Sequence, residues 1–275
     1  MTEGVAEIGF GRRAGVTRLI HLYQRDPLRV LFPTPAAGDP ALAVLLTTSG
    51  GLVAGDRLDI GVRLAKGAAA HVTASAAEKV YRSLGPTTQI RQSLSVAAGA
   101  ALEFLPLETI LFDGARLRRE TTIDLMAGAG FLGGDILVFG RRAAGERFTR
   151  GFLREVWEVR REGRLVWGDA LHIEDDIAGI IDDPACLDGA AAFATLILAP
   201  PGRDPRIFLD SARKIQSVDM TAGLRSAVTA VAGLVVARWL ASDPAALRRA
   251  YADLACHFRQ AAIGLPPLLP RLWHV

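Results

Sequence analysis

Three Gly-Ala pairs, beginning at Gly67, Gly99 and Gly128, recur at a spacing of about 30 residues. Each is preceded by an alternating apolar stretch and followed by another: "VRLAKGAAAHVT", "LSVAAGAALEFL" and "IDLMAGAGFLGG". In "LDIGVRL", Leu58, Ile60, Val62 and Leu64 share one face while Asp59, Gly61 and Arg63 share the other, the two-residue period of a half-buried strand. A single pair of strands cannot bury its apolar face alone. Three such units in series therefore predict stacked layers, a mainly β fold built as a β-helix-like repeat of hairpins.

The remaining segments extend this reading. "REVWEVRREGRLVW" predicts two strands around a turn at Glu162-Gly163. "DPRIFLDSARKIQ" predicts a short helix at about 205–215, and "GLVVARWLA" a strand because its centre is β-branched. The clearest helix spans about 243–261, with Asp243 as cap, Pro244 in the first turn and Gly264 as terminator. Its Leu247, Tyr251, Leu254 and Phe258 fall on one face, and an extended tail, "LPPLLPRLWHV", follows. The chain thus reads as one domain over residues 1–275, strand-rich from 41 to 200, with two helices in its C-terminal half.

Half of the 275 residues are hydrophobic, ample for a core, and charged residues make up 22%, unlike a disordered chain. The net charge of +3 comes almost entirely from arginine, lysine occurring only at 66, 79 and 214. No basic tract with interleaved aromatics suggests nucleic acid, whereas an arginine-rich surface suits an acidic protein partner. The first residues lack the apolar core of a signal peptide, and the apolar runs fall short of a membrane span. A cytoplasmic protein with Cys186 and Cys256 as buried reduced thiols is expected.

"GGLVAGD", Gly50 to Asp56, has the glycine content of a phosphate cradle but not its chemistry. Gly55 is followed by Asp56 and Arg57 rather than Lys and Ser or Thr, and a strand follows where a helix would be needed. The five histidines form no HxH or HExxH pair, and no GxSxG elbow occurs. Polar residues set in apolar strand sequence are more informative. These are Lys79, Tyr81 and Arg82 in "AEKVYRS", Glu103 and Glu108 in "LEFLPLETILFDGA", and Asp135, Arg141 and Glu146 in "GGDILVFGRRAAGERF". Asp169 and His172 in "WGDALHI" join them. A carboxylate among apolar neighbours must be paired or hydrated, so the set predicts either a buried ionic network or a hydrated polar passage.

Taken in order with the terminal Arg271 and Trp273 of "PRLW", these motifs resemble the UreD (UreH) family of urease accessory proteins, from about Leu45 to Trp273. The segment 182–225 matches it weakly. The family commonly carries His-Pro-Pro before the double glycine Gly50-Gly51, where this chain has Thr47-Thr48-Ser49. The resemblance implies a non-enzymatic maturation factor that joins UreF and the GTPase UreG on apo-urease (UreABC), with UreE supplying nickel indirectly. It implies no tightly bound cofactor, and a transient path for Ni2+ bordered by Asp56, Asp135 and Asp169. Two other functions compete: a purely structural adaptor without metal passage, and a hydrolase using Glu103 and Glu108.

Overall fold

A computed structural model describes residues 2–218 and 223–274. The chain is a two-sheet β-solenoid. Its strands are β1 (Glu3–Arg13), β2 (Val16–Arg25), β3 (Leu28–Leu31), β4 (Ala41–Thr47), β5 (Arg57–Leu64) and β6 (Ala69–Ala74). They continue as β7 (Glu78–Val80), β8 (Thr88–Val96), β9 (Ala101–Leu105), β10 (Thr109–Leu111), β11 (Arg116–Leu125) and β12 (Gly130–Arg141). Then come β13 (Glu146–Arg147), β14 (Phe152–Arg161), β15 (Arg164–Ile173), β16 (Ala192–Ala199), β17 (Leu224–Val231) and β18 (Leu234–Ala241).

The smaller sheet runs β15-β14-β11-β8-β5-β1-β2, and the larger β17-β18-β16-β12-β9-β6-β4-β3 with short β7, β10 and β13 attached. Each Gly-Ala turn carries the chain from one sheet to the other: β5 to β6, β8 to β9, β11 to β12. The units are therefore arches, not hairpins, and like strands stack in parallel. The turns also stack, with Gly67 N–H donating to Ala98 O at 3.2 Å and Gly99 N–H to Ala127 O at 3.3 Å. All three turn glycines have φ between 65° and 68°, which a side chain would disfavour.

Alternation explains the central core. Leu58, Ile60, Val62 and Leu64 all face the opposite sheet, as the sequence predicts. The hairpin at Glu162-Gly163 joins β14 and β15 in antiparallel register. Strands begin at Glu3 rather than near residue 41. β1 is diluted by Gly4, Gly9 and Gly11, and β2 has no buried face, so the two-residue signal is weak there.

A second core lies on the outer face of the larger sheet, beneath α2 (Leu209–Val218) and α3 (Pro244–Phe258). A short α1 (Ile177–Asp182) makes three helices rather than two. Leu247, Tyr251, Leu254 and Phe258 are the buried stripe of α3. Asp243 Oδ1 accepts from Ala245 N–H at 2.9 Å and caps it. Asp243→Ala is expected to cost about 1 kcal/mol in denaturant unfolding, with no change in fold by circular dichroism. The tail is tied down by its own helix: Trp273 is buried and stacks on Tyr251 at 5.6 Å. Both cysteines are free, and Cys186 is exposed rather than buried because it lies in the turn after α1.

Candidate functional site

Residues of odd number in β11 (Leu117, Ile123, Leu125) point between the sheets, so Arg119 points there too. In β14 the inward phase is Leu153, Trp157 and Val159, which places Glu155 inside. In β12 it is Phe131, Leu137 and Phe139, which places Asp135 inside as well. The three charges meet. Arg119 Nε donates to Glu155 at 2.7 and 2.9 Å, Nη1 to Thr109 Oγ1 at 2.8 Å, and Nη2 to Asp135.

Two carboxylates share this one guanidinium, and all three side chains are buried. Burial pushes the Glu155 carboxyl up to about 8, with Asp135 beside it adding to the rise and Arg119 opposing it. Burial raises Asp135 as well. The facing carboxylates hold Arg119 firmly protonated despite its burial. Burial thus drives both carboxyls toward the protonated form, and the two share that tendency as a pair.

Polar side chains continue from this cluster in both directions. Toward the solenoid's other side, Gln92 and Thr121 bond each other at 2.8 Å, both inward and buried. They lead to a cleft of about 170 Å³, room for several waters, lined at depth by Arg119, Thr109 and Gln92. Gly50, Gly51, Glu78 and Lys79 line it too. Thr47 Oγ1 donates to Glu78 at 2.5 Å, yet burial still raises the Glu78 carboxyl. Thr47 thus lines the cleft itself.

In the opposite direction, backbone register sets Asp135, Thr195 and Arg238 side by side across β12, β16 and β18. Arg238 Nη2 reaches across to Asp169 of β15 at 2.6 Å. This pair spans the open edge between the sheets, Asp169 being 28% and Arg238 45% exposed. Trp157, the register neighbour of Asp169, buries an indole N–H with no hydrogen-bond partner among the described residues. A polar seam thus crosses the apolar interior from the glycine-loop cleft to an exposed ion pair.

Of the three acids expected on a metal path, Asp135 and Asp169 lie on this seam. Asp56 does not line it. It is buried at the end of the glycine loop, where its carboxylate accepts from Thr2 N–H at 2.7 Å and Val53 N–H at 3.0 Å. Among the described residues, no group of three or more His, Cys, Asp or Glu side chains is placed to hold a metal.

The other motif residues build the walls. Gly51 has φ 142°, and a Cβ there would stand 2.5 Å from the Tyr81 ring, so the loop needs glycine to lie against β7. Tyr81 OH donates to Gly50 O at 3.2 Å, and its ring meets Phe112 edge-on at 4.7 Å. Arg82 lays its stem over Gly114. Arg141 covers the other side of Phe112 at 4.1 Å and pairs with Glu146 at 2.5 Å. Lys79 is exposed at the cleft mouth. Gly55 closes the loop at φ 80°, and Arg271 opens the final turn that seats Trp273.

Glu103 and Glu108 do not face a common space. Glu103 is buried on the outer side of the larger sheet, bonded to His71 and Arg259 at 2.8 Å each, while Glu108 pairs with Arg248 at 3.3 Å. Each carboxylate answers a different arginine, which leaves no shared position for acid–base work.

Sequence reading missed Arg119, Glu155 and Glu78. The signal was present for the first two: each occupies an apolar-phase position in an otherwise regular alternation, Leu117-Arg119-Thr121-Ile123 and Leu153-Glu155-Trp157-Val159.

Sequence comparison matches known proteins along nearly the whole chain. The family described as UreD urease accessory protein matches residues 2–274. A "Urease accessory protein UreD" of Magnetococcus marinus is 42% identical over 281 residues, covering 99% of this chain and 94% of its own. One from a Methylobacterium species is 40% identical over 275 residues, with the same shares. A "Urease accessory protein UreD 3" of a Bradyrhizobium species is 39% identical, covering 94% and 88%. With arches, seam and glycine loop all inside the matched span, the chain belongs to the UreD urease accessory protein family.

Proposed function

We propose that the chain serves urease maturation as a non-enzymatic scaffold that holds UreF and UreG on apo-urease and lets Ni2+ cross its interior along the polar seam. The observation that carries this reading is the seam itself: charged and hydroxyl side chains aligned through an otherwise apolar sandwich, at a desolvation cost that a purely structural core avoids. A passage should bind its cargo weakly. Affinity of nitrogen and sulfur sites rises steeply toward nickel, so a His/Cys cage would retain the ion. Two carboxylates and a threonine hydroxyl offer only oxygen, and the Glu155 proton gives a divalent cation something to displace.

A structural adaptor without metal passage is the rival, and one observation favours it: Asp135 and Asp169 each already face an arginine. The two readings part on one experiment. The chain is co-expressed with a urease operon lacking its own UreD, as wild type, Asp135→Asn and Asp169→Asn. Passage predicts urease activity and nickel content falling about tenfold or more while UreF, UreG and urease still co-purify. Unchanged nickel content, or loss of the assembly together with activity, would support the adaptor. Failure of the wild-type chain to activate urease at all would sink the maturation role.

A further inference from the structure

The smaller sheet ends in two very different edges. At one, β15 carries Arg164, Asp169 and His172 along its length, the charges with which an edge strand discourages unwanted pairing. At the other, β2 is ten residues long and almost wholly exposed on both faces. Its Val16 is 51% exposed, Ile20 and Tyr23 48%, and Leu19 and Leu22 40%. Among the described residues β2 pairs only with β1, so its outer N–H and C=O groups are a template for another strand.

Space flanks this edge on each side. One hollow of about 470 Å³ lies over Gly9 and is bordered by Ile20, His21 and Arg63. Another of about 560 Å³ lies between Val16, Leu19 and Phe32. A β-bulge at Gly9/Phe10 shifts the register, so Leu19 and Leu22 both turn toward the second sheet while Ile20 and His21 both turn away. Apolar side chains therefore await a partner on both faces of the same edge.

Charge decides what that partner is. β2 contains no Asp or Glu. Arg12, Arg13 and Arg18 crowd the free end of the β1–β2 hairpin and form no ion pair among the described residues. The acids on this side are engaged: Glu7 with His21 and Asp39 with Arg259, while Asp124, which borders the first hollow, lies opposite Arg160 in the neighbouring strand. A second copy of β2 would bring more arginine and no carboxylate, so self-pairing is opposed by like charge.

We infer that β2 is a strand-addition site for an extended segment of a partner protein in which apolar side chains alternate with acidic ones. Main-chain hydrogen bonds give the attachment, the two hollows take alternate side chains, and the arginines select for carboxylates. This goes beyond the nickel passage and holds whether or not ions move along the seam.

The test uses the full chain and two fluorescein-labelled nonapeptides, one alternating valine with glutamate, the other with lysine in its place. Fluorescence anisotropy should show the glutamate peptide bound at least about tenfold more tightly. The double substitution Leu19→Asp with Leu22→Asp, both at exposed positions, should weaken that binding by a similar factor while leaving the thermal midpoint unchanged. Independently of any variant, hydrogen exchange of the β2 amides should slow when the glutamate peptide is added. Equal binding of the two peptides, binding insensitive to the double substitution, or unchanged β2 exchange would each overturn the inference. So would a concentration-dependent doubling of mass by light scattering that the double substitution abolishes, since that would make the occupant a second copy.

Discussion

Arg119→Met is expected to lower the stability of the fold by about 3–5 kcal/mol, the usual penalty for removing one member of a buried ionic group. Methionine fills much of the volume of the arginine stem, so the loss is electrostatic rather than a cavity. The guanidinium satisfies Glu155, Asp135 and Thr109 together. Without it, the buried Glu155 and Asp135 lose the cation that favours their charge, and any ionised carboxylate there is unpaired. Thermal unfolding at pH 7 should show a midpoint lower by on the order of 10 °C. The deficit should shrink as the pH is lowered, because protonated carboxyls no longer repel. A loss under about 1 kcal/mol would mean that water already solvates the cluster. Replacing all three charges, as Arg119→Met with Asp135→Leu and Glu155→Leu, should recover most of the stability. If the seam carries ions, that apolar variant should fold and assemble yet deliver no nickel.

The second large effect is a pH dependence that Glu155→Gln removes. The folded carboxyl titrates at about 8, against an ordinary value of 4.5, because burial disfavours its charge. Between those limits the unfolded chain releases this proton and the folded one keeps it. Stability from this group is therefore complete below about pH 4.5 and is lost as pH rises toward 8. Glutamine mimics the protonated form and has no such slope. The difference between variant and native in unfolding free energy from denaturant curves should move in the variant's favour by a few kcal/mol from pH 5 to pH 8.5. Parallel curves over that window would show that Glu155 is ionised in the folded chain and that the Glu155 proton is not available for exchange.

Much of this architecture is legible in the sequence because its physics is local. The Gly-Ala turns need φ > 0 and recur at nearly constant spacing, so the repeat can be counted. Asp243, Pro244 and Gly264 bracket a helix by their own hydrogen-bonding and steric preferences. Arches and hairpins, in contrast, have the same local pattern: alternating strand, turn, alternating strand. Whether the second strand pairs with the first or crosses to another sheet depends on the neighbouring units, which no single segment reports.

The candidate site divides the same way. Asp135 and Asp169 stand out as acids in apolar strands, and their isolation along the chain signals that each must find a partner. Arg119 and Glu155 are hidden among other charges in "RLRRETT" and "FLREVWEVRR", and only the phase of the alternation sets them apart. Asp56 looks equivalent to the other acids in sequence but accepts from the backbone N–H groups of Thr2 and Val53.

By itself the sequence determined the strand period, the turn positions, the helix caps and the kinds of charge that had to be buried. Only the tertiary structure decided which charges meet, because Arg119, Asp135, Glu155, Asp169 and Arg238 come from five strands whose adjacency is set by long-range stacking. It also decided that β2 is left with an open edge. Backbone hydrogen bonds are satisfied pair by pair, and the last strand of a sheet has no neighbour that its own sequence could announce.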